Sequence, residues 1–266
     1  MTSRTLVMTR WRFTLNSYTI RVNTNGTIEN LNFAPVANRD YFPTGQNEAD
    51  SALGTGDAIG RLLACLNSNT AGGVYAATVN EIGRITITCS ISFQIMWDDV
   101  ATTLDPQWFG FAFDTLPVVP AITVTATMTL RGVWVPDQGV FRTNWGERQV
   151  VGVSEVAIND TILGFSLSNG HVFWKCVWIF IHQNFARNYN AALAGDPGNC
   201  IENLFHEMQM HTFCRFRIYL DWVLNRDATF ERNPTLRLAN QTQPWEVEED
   251  QRLTSYRVTL EGLLVP

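Results

Sequence analysis

Two long stretches of the chain alternate strictly between apolar and polar residues, over residues 84–97 and 122–135. The polar side of the first stretch carries Arg84, Thr86, Thr88, Ser90, Ser92 and Gln94, and that of the second carries Thr123, Thr125, Thr127, Thr129 and Arg131. A period of two predicts β-strands with one buried side and one side that faces solvent. The two stretches therefore predict the central sheet of the fold.

The polar sides of these two strands carry mostly hydroxyl groups and few charges. Threonine keeps the preference of β-branched residues for strands while carrying a hydroxyl group in place of a charge. Such a surface suits contact with another sheet, another subunit or an aqueous lumen. The pattern therefore favours a component of an assembly over an enzyme.

Shorter patterns predict the other elements. Alternating residues 10–22, followed by a turn at 23–26, indicate a strand or hairpin. Helical spacing of apolar residues predicts a short helix over 57–67 and an amphipathic helix over 199–212. Residues 33–57 are rich in proline, glycine, asparagine and aspartate and predict a long ordered loop.

The predicted fold is mainly β, a β-sandwich or small barrel with long alternating strands and one or two flanking α-helices. Turn-forming residues after Val135 indicate a boundary between two parts of the chain. We predict an N-terminal β-rich subdomain over 1–138, with the long loop and the short helix. A C-terminal β-rich subdomain over 139–266 would carry the helix at about 199–212.

Composition narrows the classes of partner. The net charge is −6 and the sequence contains no basic cluster, which argues against a nucleic-acid-binding surface. Only 17% of the residues are charged, so part of the surface is expected to be neutral or covered by partners. Lys175 is the only lysine beside eighteen arginines. Arginine is enriched at protein interfaces, but a GC-rich genome explains the same bias.

The cysteines and the apolar segments indicate a cytosolic product. Five scattered cysteines without a CxxC pair predict free thiols in a reducing compartment, with Cys89 and Cys176 buried in strands. The first residues lack the apolar core of a signal peptide, so we expect no secretion. Residues 171–181 are the most apolar stretch and predict a buried strand, because they are too short to cross a bilayer.

No motif predicts catalysis, a metal or a cofactor. His206 and His211 lie five residues apart, which places them about 140° apart around a helix, whereas a zinc-binding HExxH pair shares one face. The glycines of residues 54–60 do not have the spacing of a dinucleotide loop. Three carboxylates, Asp98, Asp99 and Asp105, are interpreted as turn-forming residues.

The aromatic content raises carbohydrate binding as an alternative. Nine tryptophans and sixteen phenylalanines are present, and most lie at alternating strand positions where core packing is expected. The tryptophans that this pattern does not place are Trp108, Trp134, Trp145, Trp174 and Trp245. One or two of them are candidate exposed anchors for a partner.

Six short motifs are distributed over the two halves of the chain. They are Gly60–Leu66, Gly83–Ile87, Phe93–Trp97, Trp108–Phe111, Phe216–Asp221 and Tyr256–Glu261. The first four resemble a pattern of tailed-bacteriophage tail proteins, in which a small helix precedes a G-R-[VI]-T-I strand, then F-x-[IL]-x-W, then a closing GF. The last two resemble the closing strands of tail-tube and distal-tail proteins.

The resemblance implies a virion structural protein of the tail-tube, distal-tail, baseplate or adaptor type. Such proteins form homo-oligomeric rings, so the expected partners are other copies of this chain and neighbouring virion proteins. DNA would only pass through the lumen, and no membrane anchor is expected. The protein would be made in the host cytoplasm and would reside in the virion.

Loops 33–57, 98–120 and 240–252 are expected to carry the contacts between subunits. The residues predicted to make these contacts are Trp108, Phe109, Trp145, Trp245, Glu246, Glu248, Glu249 and Asp250, the acidic ones meeting arginines of a neighbour. One alternative is a carbohydrate-binding receptor-recognition or capsid-decoration protein that uses Trp145 or Trp245. Another is a metal-dependent hydrolase that uses His206 and His211.

Overall fold

The computed structural model describes residues 5–38, 40–43, 58–80, 82–111, 121–137, 142–148, 155–156, 162–163, 171–187, 200–210, 215–219, 235–239, 243–248 and 255–264. The strands are β1 (Leu6–Thr9), β2 (Trp11–Arg12), β3 (Tyr18–Thr24), β4 (Thr27–Phe33), β5 (Asp40–Tyr41), β6 (Tyr75–Val79), β7 (Ile85–Ile95), β8 (Ala121–Thr125), β9 (Val133–Trp134), β10 (Arg142–Arg148), β11 (Glu155–Val156), β12 (Ile162–Leu163), β13 (His171–His182), β14 (Arg215–Tyr219), β15 (Thr235–Leu238), β16 (Trp245–Glu248) and β17 (Ser255–Leu264). The helices are α1 (Ala58–Leu66), α2 (Gln183–Ala186) and α3 (Ile201–Met210), and a 3₁₀ turn spans Pro106–Phe109. The predicted mainly β fold is confirmed.

A five-stranded antiparallel sheet contains β4, β3, β7 and β6 in that order, and β8 also pairs with β7. The β3–β4 hairpin turns at Asn25 and Gly26, whose φ angles are 50° and 88°. Two consecutive positive φ values match the twist of the flanking strands and favour the Asn-Gly pair found here. The turn predicted at residues 23–26 is thereby confirmed, and it joins β3 to β4.

The first long alternating strand is confirmed and the second is wrong. β7 spans eleven residues, and its odd-numbered side chains from Ile85 to Cys89 are buried. The stretch 122–135 is instead divided into β8 and β9 by seven residues that leave the ladder. Within that break, the backbone N–H groups of Met128 and Arg131 donate to carbonyl groups next to the 3₁₀ turn. Gly132, with φ 64°, then redirects the chain.

An eight-stranded antiparallel sheet follows the order β10, β13, β17, β15, β14, β1, β9, with β16 also paired to β17. Strand β1 pairs with β14 on one edge and with β9 on the other. All four of its residues are buried, because Leu6 and Met8 face one hydrophobic core and Val7 faces the other. The N-terminal strand therefore lies between the two cores.

The two cores are formed mostly by different parts of the chain, and β1 and β9 contribute to both. One is built from residues of 6–135 and includes the apolar side of α1. The other combines the strands of the larger sheet with Ile201, Leu204, Phe205 and Met208 of α3. This places the predicted amphipathic helix, which the structure describes over Ile201–Met210, against a sheet face. The division of the chain at residue 138 stays a prediction.

Within the described part of the chain, no helix is both long enough and apolar enough to cross a membrane.

Candidate assembly surfaces

A face of hydroxyl groups covers the outer side of three strands of the five-stranded sheet, β6, β7 and β8. Two rows cross three strands: Thr78, Thr86 and Thr125 form one, and Ala76, Thr88 and Thr123 form the other. Residues directly opposite each other on paired strands share a face. We call the five threonines of these rows the threonine face.

The threonine face is accessible to solvent and carries no charge. Thr78, Thr123 and Thr125 are exposed, while Thr86 and Thr88 are half-buried. The hydroxyl oxygens of Thr86 and Thr125 lie 3.0 Å apart, a hydrogen-bonding distance across the ladder. The three strands β6, β7 and β8 contain no aspartate, glutamate, lysine or arginine. The predicted neutral polar surface is therefore present on the folded chain.

Charges appear on the neighbouring strand β3 and in the turns that follow β7. The Arg21 guanidinium lies 3.4 Å from the Asp99 carboxylate, and that carboxylate also accepts the N–H of Ala101 at 2.8 Å. Asp105 accepts the N–H of Gln107 at 2.9 Å and thereby caps the 3₁₀ turn. Asp99 and Asp105 thus order local turns, as their sequence context predicts.

The sequence predicts Phe109 as a contact between subunits, and the structure places it inside its own chain. Its side chain is fully buried in the N-terminal core, where its ring lies 5.4 Å from that of Trp11. The 3₁₀ turn that holds it ends at Gly110, whose φ is 76°. Because the turn points Phe109 inward, this side chain is not available to a neighbouring subunit.

Trp108, next to it, lies at the surface of the same core. Its ring is half-buried against Trp11 at 5.2 Å, and the Arg131 guanidinium lies 4.3 Å above it. A guanidinium over an aromatic face is a favourable cation–π arrangement. Trp108 therefore keeps some accessible surface, and its role as a contact stays a prediction.

Trp245 begins the edge strand β16 and is also a core residue. It is only 7% exposed, and its ring meets that of Phe205 on α3 edge-on at 5.8 Å. The next two residues differ, because Glu246 and Val247 are both exposed, Val247 at 63%. The strand therefore anchors itself through Trp245 and presents Glu246 to solvent, opposite Arg257 in the ladder.

Four predicted contacts are described only in part or not at all. Trp145 lies on β10, opposite Trp174 of β13 in the ladder. Glu248 is the last residue of β16, opposite Ser255. Glu249 and Asp250 lie outside the described residues. Much of the three loops predicted to carry contacts lies outside them as well.

No family model and no curated protein matches this sequence. Three of the six short sequence motifs lie beside the threonine face. Residues 83–87 lead into β7, residues 93–97 end it, and residues 108–111 form the end of the 3₁₀ turn and the backbone after it. That backbone accepts the N–H of Met128 at Gly110 and so fixes where the chain leaves β8.

The residues considered for metal or acid–base chemistry are dispersed in the structure. His206 is exposed on α3, and His211 lies outside the described residues. Among the described residues, no group of three or more histidines, cysteines, aspartates or glutamates is arranged to hold a metal ion.

Two surface features have no clear signal in the sequence. Phe180 lies in a β-bulge between Trp178 and Ile181, is 60% exposed and has a φ of 56°, which is rare for a bulky residue. The continuous apolar run around it shows no alternation from which an outward side chain can be assigned. The position of β8 at a sheet edge is equally hidden, since strand order follows from long-range pairing.

Buried titratable groups predict how stability depends on pH. Burial raises the pKa of the Cys65 and Cys176 thiols from about 9 to about 12, and that of the Tyr75 hydroxyl to about 12. Above about pH 9 the folded chain therefore holds protons that the unfolded chain releases, so stability falls as the pH rises. We expect the melting temperature to decrease steadily from about pH 9 upward.

Alkylation by iodoacetamide provides the matching chemical readout, because the thiolate is the reactive form. At about pH 9 both thiols should react far more slowly in the folded chain than in denaturant. A variant carrying Cys65→Ala and Cys176→Ala should show a flatter alkaline decline. Equal labelling of the folded and unfolded chains would contradict the assignment.

Proposed function

We propose that this chain is a non-enzymatic structural component of a tailed-phage virion, and that it assembles as a homo-oligomeric ring in the tail or baseplate. The observation that carries the proposal is the uncharged threonine face. Burying a charge without a partner costs far more than burying a hydroxyl group that finds a hydrogen bond. A solvent-accessible sheet face without charges is therefore suited to being covered by a neighbouring molecule.

Two further features support the proposal. Three of the six motifs that resemble phage tail proteins border the threonine face, and the other three lie on α1, β14 and β17. The net charge of −6 suits a ring whose lumen DNA passes without adhering.

The proposal is tested by negative-stain electron microscopy and light scattering on the purified chain. We expect rings, stacks or tubes with a mass several times that of one chain. Thr88→Arg puts a charge in the middle of the threonine face and should abolish these particles. Thr27→Arg puts the same charge at an exposed position outside this face and should leave them intact.

Particles that persist in Thr88→Arg would show that the face is not the contact. A uniform monomer, both alone and together with the other virion proteins, would contradict the ring itself.

No tryptophan whose burial is described favours the carbohydrate-binding alternative. Sugar rings stack on exposed aromatic faces, and Trp108 is half-buried with a guanidinium over its ring. Other described tryptophans, Trp11, Trp97, Trp134, Trp178 and Trp245, are all less than 10% exposed. Trp245→Ala would consequently remove a core side chain, so a loss of glycan binding in that variant would not identify a sugar site.

A further inference from the structure

Strand β8 forms one edge of the five-stranded sheet. It pairs with β7 through Thr86–Thr125, Ile87–Val124 and Thr88–Thr123, while β6 pairs with the opposite edge of β7. Among the described residues, no strand pairs with the second edge of β8. This edge is therefore where a further strand can be added.

The direction of the backbone groups on this edge follows from one hydrogen bond. Ala126 donates its N–H to the carbonyl oxygen of Ile85 at 2.9 Å, so its backbone groups face β7. The direction in which the backbone N–H and C=O groups point alternates from one residue to the next along a strand. The backbone groups of Val124 and Ile122 therefore face β7 as well. The N–H and C=O groups of Thr123 and Thr125 point away from the sheet.

The edge also lacks two of the usual protections against pairing, charge and proline, although the β7–β8 ladder shifts register between Thr88 and Phe93. Natural edge strands carry charges, proline or bulges that prevent another strand from adding to them. β8 has the sequence Ala-Ile-Thr-Val-Thr, without a charge or a proline. Ile122 is 62% exposed, and Val124 is half-buried on the same side of the strand. An exposed, neutral, β-branched edge of this kind is suited to a partner strand.

We propose that β8 pairs with β8 of a second copy of this chain, antiparallel about a two-fold axis at Thr123. In this register the outward backbone groups of the two Thr123 residues bond to each other. Each Ile122 then lies opposite the partner's Val124, on the apolar side of the sheet. The pairing covers the exposed Ile122 and joins the two sheets into one.

The same register extends the threonine face. The row of Ala76, Thr88 and Thr123 continues directly into the partner's Thr123 and Thr88, because residues directly opposite each other on paired strands share a face. The threonine faces of the two copies would then form one continuous surface across the dimer.

Charge favours self-pairing of β8 over pairing with β16, another strand with an unpaired edge among the described residues. β16 carries Glu246 and Glu248, and β8 offers no cation to meet them. Two copies of β8 bring no like charges together, whereas two copies of β16 would. The second copy is therefore expected to bind through the same strand, which is the arrangement of a two-fold interface.

Disulfide trapping tests the register. Ile122 and the partner's Val124 would form a non-hydrogen-bonded pair, whose Cα atoms lie about 4.5 Å apart, within disulfide range. Chains carrying Ile122→Cys or Val124→Cys, with tags of different size, are coexpressed and mildly oxidised. We expect at least ~10-fold more cross-linked dimer in the mixture than in either variant alone, since like positions are only diagonal neighbours.

The wild-type chain measures the background from native thiols, of which Cys65, Cys89, Cys176 and Cys200 are buried. Equal cross-linking of Ile122→Cys with itself would overturn the register. No cross-link in any sample would overturn the pairing.

Sedimentation velocity tests the interface without introducing a thiol. Thr123→Lys places two ammonium groups opposite each other and should weaken the dimer by about 100-fold or more. Thr78→Lys adds the same charge to the same face on β6, away from the edge, and should leave the dimer intact. Equal dissociation by both variants, or a folded wild-type chain that is monomeric, would overturn the inference.

This inference does not rest on the proposed ring. Rings that survive in Thr123→Lys would overturn the β8 pairing and leave the proposed function standing. A stable two-chain particle that never forms rings would overturn the proposed function and leave the β8 pairing standing.

Discussion

Trp134→Ala is expected to lower the free energy of unfolding by about 3–5 kcal/mol. Trp134 lies on β9, is fully buried, and packs edge-on against Trp178 with 5.1 Å between the ring centroids. Its Nε1–H donates to the carbonyl oxygen of Phe185 at 2.9 Å, which ties β9 to helix α2. The substitution removes the ring, leaves a cavity and leaves the carbonyl oxygen of Phe185 without this donor. Domains of this kind are stable by only about 5–15 kcal/mol, so the loss is a large share.

Chemical denaturation followed by circular dichroism measures this loss. Trp134→Phe is the matched control, because it keeps an aromatic ring near Trp178 and loses the Nε1 hydrogen bond. We expect it to cost clearly less than alanine. A loss below about 1 kcal/mol in Trp134→Ala would show that this contact does not hold the C-terminal core together.

Gly110→Ala is expected to destabilise the chain by several kcal/mol. Gly110 has a φ of 76°, a conformation that costs an L-residue about 1–2 kcal/mol. A Cβ atom at this position would also overlap the backbone carbonyl of Met128. Backbone atoms cannot turn aside as a flexible side chain can, so the 3₁₀ turn and the segment after β8 would have to separate.

Gly26→Ala separates the two contributions. Gly26 has a φ of 88°, and nothing lies within 4 Å of the point that a Cβ atom would occupy there. Gly26→Ala should therefore lower the free energy of unfolding only by the cost of the positive φ, about 1–2 kcal/mol. The difference between the two variants in denaturant melts reports the close approach at Met128. Equal losses in both variants would mean that the turn relaxes freely.

Elements with a local signal are predictable from the sequence. β7 follows from a period of two that packing does not disturb, and α3 follows from four apolar residues at helical spacing. The stretch 122–135 has the same local signal as β7 and is nevertheless divided. The backbone near Gly110 divides it, because the carbonyl oxygen of Gly110 accepts the N–H of Met128. Gly110 lies on another part of the chain. Local periodicity contains no information about such a partner.

The sequence predicts the chemistry of the candidate surface better than it predicts which residues belong to it. The alternation in residues 84–97 places Thr86 and Thr88 on a polar side, and the structure confirms that they share a face with Thr123 and Thr125. Phe109 and Trp245 are candidates from sequence because aromatic residues in loops are common contacts. Each is buried by an aromatic residue distant in sequence, Trp11 and Phe205 respectively, which no local pattern reveals.

The position of β1 affects how this chain folds during synthesis. Leu6 pairs with Tyr219, so the strand emerges from the ribosome long before its neighbour β14 exists. At about 5–20 residues per second, that delay lasts on the order of ten to forty seconds. Throughout it, a strand that is apolar on both sides has only the first core to cover it. A nascent chain with such an exposed strand is a natural substrate for chaperones, and the yield of folded protein should depend on translation speed.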